Sequence, residues 1–105
     1  MAKAIDLILE KEFQCEADTD EIKTTWLLRS LTGSEWLKCT ANGFVDIDLI
    51  LEYGICGWRD FPDANGNEVP YSRINIGRID PVYLQEIYIE LQRMASMGEE
   101  ERKNS

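Results

Sequence analysis

The clearest pattern of apolar and polar positions lies near the C-terminus. Leu84, Ile87, Tyr88, Leu91, Met94 and Ala95 recur at intervals of three and four, which puts them on one stripe of a helix. Asp80 precedes this run as an N-cap, and Pro81 fits the first helical position, where its missing N–H is not needed. The pattern predicts a helix of roughly 17 residues, about 25 Å long, ending at Gly98. Residues 99–105 then read as a charged, frayed tail.

The N-terminal half is punctuated differently. Ala4 to Leu9 alternates only weakly because Ile8 interrupts Ile5, Leu7 and Leu9, so a short strand and a helical turn both fit. Phe13 to Cys15 reads as a second extended piece, and Asp18 to Glu21 as a polar turn. Thr24-Thr25-Trp26-Leu27-Leu28 has the β-branched and aromatic content of a strand. Next comes a capping box: Thr32 as N-cap and Glu35 at N3, with Leu31 and Trp36 at the spacing of a hydrophobic staple. It predicts a helix from Gly33 to about Ala41, stopped by Asn42-Gly43. Asp46 caps a third helical candidate carrying Ile47, Leu49, Ile50 and Leu51, apolar enough that most of its circumference is expected to be covered. Gly54 is expected at its C′ position, and Ile55-Cys56-Gly57-Trp58 delivers the chain into a long loop. The expected fold is therefore α+β and mostly α: a small N-terminal antiparallel β element, then three helices, with a long ordered loop before the C-terminal helix. Residues 1–98 are expected to form a single globular domain.

That loop, Gly57 to Arg78, has no regular period, yet it holds Trp58, Phe61, Tyr71, Ile74 and Ile76. A disordered linker would lack such groups, and ordered loops of this length are usually functional. Asp63 to Asn67 forms a turn in which Gly66 or Asn65 takes positive φ. The prolines at 62 and 70 make the flanks extended, so they pair at most as a loose edge hairpin. Trp58, Arg59, Phe61, Tyr71, Arg73 and Arg78 are the candidate partner-binding or loop-anchoring residues. Aromatic rings with arginines have hot-spot composition, and a core anchor beneath the loop explains Trp58 and Phe61 equally well.

Composition narrows the chemistry. The 105 residues carry 20 acids, 11 bases and no histidine, for a net charge of -9 spread over both halves. That balance argues against nonspecific nucleic-acid binding and against anionic membranes. Without histidine the commonest general base is missing, and Ser-His or Cys-His sites are excluded. Carboxylate pairs such as Asp46/Asp48 and Glu86/Glu90 read as helix caps and solvated faces, and no nucleotide-binding glycine motif occurs. Aligning Gly66 with the glycine of a calcium loop puts Phe61 and Ser72 where the key carboxylates belong. Cys15, Cys39 and Cys56 are odd in number and widely spaced, which fits free thiols in a reducing compartment better than disulfides or zinc. No signal-peptide pattern or membrane-length apolar run appears. A non-enzymatic protein without cofactor or metal, located in the cytoplasm, is expected.

Trp26-Leu27-Leu28-Arg29-Ser30-Leu31-Thr32-Gly33-Ser34-Glu35, followed by Gly54-Ile55-Cys56-Gly57-Trp58-Arg59-Asp60-Phe61, resembles small phage tail assembly chaperones. Gly66-Asn67-Glu68-Val69-Pro70-Tyr71-Ser72, the Asp-Pro helix start and the terminal Glu101-Arg102-Lys103-Asn104-Ser105 extend the likeness over most of the chain. The resemblance implies a protein of long-tailed phages or prophages that binds the tape-measure protein and helps recruit tail-tube subunits around it in the host bacterial cytoplasm. It would be absent from the finished virion, and relatives often have a longer frameshifted form. Homo-oligomerisation fits this picture, and nucleic acid and membrane are not expected partners. Two other classes stay open: a virion structural or head–tail joining protein, and an acidic DNA-mimic inhibitor of a host enzyme.

Overall fold

The computed structural model describes residues 10–103, with side chains as far as residue 95. The weakly alternating stretch from Ala4 to Leu9 lies outside the described residues. The elements run β1 (Glu10–Phe13), β2 (Thr25–Arg29), α1 (Gly33–Cys39), α2 (Ile47–Gly54), β3 (Ile55–Arg59), α3 (Arg73–Ile76) and α4 (Pro81–Lys103).

This order corrects the expected fold. Among the described residues the sheet has three antiparallel strands in the order β1-β2-β3, and its third strand arrives only after two helices. The run Ile55-Cys56-Gly57-Trp58, expected only to lead into the loop that starts at Gly57, is a strand paired with β2 far back in the chain. Trp58 stands opposite Trp26 and Gly57 opposite Leu27, with an irregularity between Leu27 and Leu28. A central glycine and a local slip in register hide the two-residue alternation that would mark a strand. Nor is the segment after β3 only loop. Ser72 caps a single helical turn, its Oγ accepting the Asn75 N–H at 3.2 Å.

Phe13, Trp26 and Trp58 are aligned across the three strands and share a face of the sheet. With Leu28 and Ile55, that face meets Leu31, Ile50 and Leu51 and, from α4, Ile87, Leu91 and Met94. The stripe read along the last helix is thus its core face. Lys11 on β1 pairs with the buried Glu90 of α4, which Arg93 also contacts at 3.1 Å. Helix α4 passes through Gly98, where termination was expected, and continues to Lys103. A single glycine costs only about 1 kcal/mol in a helix interior, and the Glu, Arg and Lys residues after it are good helix formers.

Gly54 has a different role from the C′ cap expected of it. It is the last residue of α2, Ile55 is the C-cap, and only Gly43 and Gly66 among the described glycines take positive φ. Its backbone lies directly against Leu91, so that a β-carbon at position 54 would overlap that side chain. Glycine here sets the distance between α2 and α4. Since Leu91 is 1% exposed and has no room to retreat, Gly54→Ala should destabilise the protein by about 2 kcal/mol in urea unfolding.

The capping box of α1 forms as read. Glu35 accepts the Thr32 N–H at 2.8 Å, and Thr32 Oγ1 accepts the Glu35 N–H at 3.2 Å. Glu35 also receives a two-pronged hydrogen bond from Arg29 at 3.0 and 2.7 Å, joining the end of β2 to α1. Arg29 first, then the Thr32 amide, hold its carboxyl down to about 2 against the opposing effect of burial. A depressed carboxyl contributes stability that is complete above its unfolded value, near 4.3, and is lost as pH falls toward 2. Glu35→Gln should therefore be less stable than wild type by about 2 kcal/mol at pH 7, with the gap closing between pH 4.5 and 2 in urea titrations.

Candidate protein-binding site

The structure separates the six predicted site residues into two groups. Trp58, Phe61 and Tyr71 form one aromatic cluster with Trp26. Trp58 is 8% exposed and lies edge-on to Trp26, Phe61 and Tyr71 at centroid distances of 5.9, 5.4 and 5.1 Å. Its indole N–H donates to the Val69 carbonyl at 2.7 Å, and the Tyr71 hydroxyl donates to the Ile55 carbonyl at 2.8 Å. These rings fasten the loop to β3, so Trp58 and Phe61 are core anchors. Arg59, Arg73 and Arg78 are all exposed and do not converge on one point. Arg59 reaches Glu12 across the sheet at 3.0 Å, Arg73 approaches Glu52 at 3.7 Å, and Arg78 forms no ion pair among the described residues.

The turn between the anchors is closed by its own backbone. Asp63 Oδ1 accepts the N–H groups of Asn65 and Asn67 at 2.9 and 3.0 Å, and Gly66 takes φ of 82°. The flanks meet in one antiparallel bridge, Pro62 to Glu68. Glu68 reaches back to the Phe61 N–H at 3.0 Å. Asp60, at the corner leaving β3, is the only described non-glycine residue with positive φ, 59°. Its carbonyl accepts the Thr24 hydroxyl at 2.7 Å, which holds this strained corner in place.

The three thiols are poor nucleophiles. Burial, reinforced by Glu86, pushes Cys15 up to about 11. Burial also raises Cys39, with Asp46 adding to the effect, and Cys56, with Glu10 adding to it. The buried Trp26 indole N–H has no hydrogen-bond partner among the described residues, and its influence on Cys15 partly offsets that rise. Protonated thiols at neutral pH are inert packing groups.

Exposed apolar surface lies elsewhere, at the corner joining α1 to α2. Leu37 is 71% exposed, Phe44 81%, Val45 53% and Ile47 46%. Phe44, Val45 and Ile47 line an open concavity of about 480 Å³, together with Cys39, Leu49 and the polar residues Lys38, Asp46 and Asp48. Exposure here is not the result of a slack backbone. Thr40 N–H bonds to Leu37, Gly43 N–H to Thr40 and Asp46 N–H to Cys39, the last at 2.7 Å. Asp46 Oδ1 then accepts the Leu49 N–H at 3.1 Å and starts α2. As its apolar content predicts, most of the circumference of α2 is at least partly covered, and only Ile47 and Asp48 in its first turn are exposed. Its core face is Ile50, Leu51 and Gly54, and Ile47 faces outward. Phe44-Val45, two large apolar residues after the Asn42-Gly43 stop and before the Asp46 cap, was the available signal.

The two clusters differ in what their removal should do. Trp58→Ala is expected to destabilise by about 4 kcal/mol in urea unfolding, since it opens a core cavity and strands the Val69 carbonyl. Phe44→Ser should change stability by less than about 0.5 kcal/mol in the same measurement. Compared with protein-family models, curated proteins and solved structures, the chain matches none.

Proposed function

We propose that this chain is a non-enzymatic assembly chaperone of a long-tailed phage or prophage, binding the tape-measure protein in the host cytoplasm and assisting assembly of the tail tube around it. The observation that carries this reading is the solvent-facing apolar corner of Leu37, Phe44, Val45 and Ile47 on a body of net charge -9. A chaperone for a long apolar helix needs such a surface to engage its client and a strongly charged remainder to keep the complex in solution. The sequence resemblance supplies the identity of the client.

The DNA-mimic alternative needs carboxylates arrayed free on one surface. Asp18, Glu35, Asp46, Asp63, Glu68, Asp80 and Glu86 each accept a backbone N–H, at helix caps, within loops or, for Glu86, between α4 and the β1–β2 connection, which counts against it. The test is co-expression with the tape-measure gene of the same tail cluster. The client should remain soluble and copurify with the wild-type chain, and recovery should fall about tenfold with Phe44→Asp/Val45→Asp. Equal insolubility of the client with and without this chain sinks the reading. Stoichiometric recovery of the chain in purified virions would favour a structural or joining protein instead.

A further inference from the structure

We infer that the α1–α2 corner receives a cationic amphipathic helix, with bulky apolar side chains seated on Phe44, Val45 and Ile47 and lysine or arginine beside Asp46 and Asp48. This deepens the binding role just proposed by specifying the chemistry of the occupant.

Three observations lead to it. The first concerns backbone. The corner is built from a helix end, a closed turn and a helix start, with Asp46 N–H engaged with Cys39 and Ile50 N–H with the Asp46 carbonyl. None of the three described strands lies there, so an extended segment would find no sheet edge to continue. A helix brings its own backbone bonds and needs only an apolar face. The second is size: an open concavity of about 480 Å³ is on the scale of a few large side chains, as helix anchors require.

The third observation is charge. Asp46 and Asp48 stand in the concavity wall and form no ion pair among the described residues; Lys38 is the one base lining it there. Asp46 uses only one oxygen to cap α2. The field of the whole chain, at -9, adds to this local excess. A second copy of the chain would bring the same charge to the same corner, and two such bodies repel. A cationic helix is drawn in by the same field and can pair with Asp48 at the rim. Because the corner is held by its own hydrogen bonds, little ordering entropy opposes docking.

The test uses the full chain and two labelled synthetic peptides of roughly five helical turns. Both carry the same Leu/Phe stripe; one has lysine on its flanks and the other glutamate. In fluorescence anisotropy at low salt the lysine peptide should bind at least about tenfold more tightly than the glutamate peptide, and added salt should erode that preference. Phe44→Ser/Val45→Ser should weaken the lysine peptide about tenfold with an unchanged urea midpoint, and Asp48→Asn about threefold. Ile89→Ser, an exposed apolar position on α4, should leave binding unchanged. Equal affinity for the two peptides overturns the inference, as does indifference to the Phe44/Val45 change. A wild-type dimer in sedimentation that Phe44→Ser dissociates also overturns it by placing a second copy on the corner. Corner-dependent peptide binding without copurification of the tape-measure protein supports this inference and removes only the named client. Copurification that ignores corner substitutions does the reverse.

Discussion

The indole of Trp58 links the parts of this chain that sequence distance keeps apart. Its ring meets Trp26 edge-on at 5.9 Å across the β2–β3 pair, and its N–H holds the Val69 carbonyl at 2.7 Å. The first contact fixes the third strand to the sheet after a two-helix excursion. The second draws the far arm of the loop back over that strand, where Tyr71 and Phe61 complete the cluster. Edge-to-face aromatic pairs contribute about 1 kcal/mol beyond burial, and a satisfied indole N–H avoids a desolvation penalty of similar size. Closing so long a loop is entropically unfavourable, and only a dense, directional cluster offsets it. With β3 in place, Gly54 is positioned against Leu91 and α4 can cover the sheet.

A second constraint runs through the acidic residues. A chain with this charge would repel itself if its carboxylates only faced solvent. Many instead terminate backbone segments. Glu86 on α4 accepts the N–H groups of Glu16 and Ala17 at 2.9 and 3.1 Å, tying the β1–β2 connection to the last helix. The buried Asp18 accepts the Thr24 N–H at 2.9 Å, just before β2 begins. Connections that would otherwise leave amides unpaired are closed by side chains the sequence already needs for solubility. The acidity is thus partly architectural, which explains why it is dispersed along the chain.

Local signals carried much of this structure into the sequence. The Thr32/Glu35 capping box, the Asp46 cap, the Asp-Pro start of α4 and its apolar stripe are all short-range features, and each was legible because its physics is complete within a few residues. β3 was not legible, since its identity depends on Trp26, far away in sequence, and its own central Gly57 suppresses the strand pattern. Gly54 misled for the same reason: after a helix a glycine reads as a cap, and only the tertiary approach of Leu91 reveals its purpose. The loop aromatics could be recognised as anchors or contacts, but the choice between them depends on Val69 and Ile55 carbonyls that no local rule locates.

The exposed corner follows from how these constraints divide the apolar residues. Trp26, Trp58, Leu28, Ile55, Ile50, Leu51, Ile87 and Leu91 satisfy the core between sheet and helices. Helix α1 has only seven residues, and of these Cys39 alone is fully buried. The turn that follows it is closed by the Asp46 to Cys39 hydrogen bond, with Phe44 on its solvent side. Phe44 and Val45 are therefore held outside by the same bond that sets the angle between α1 and α2. The solvent-facing apolar surface is a fixed consequence of the core geometry, and a partner's apolar side chains can meet it without any rearrangement of the fold.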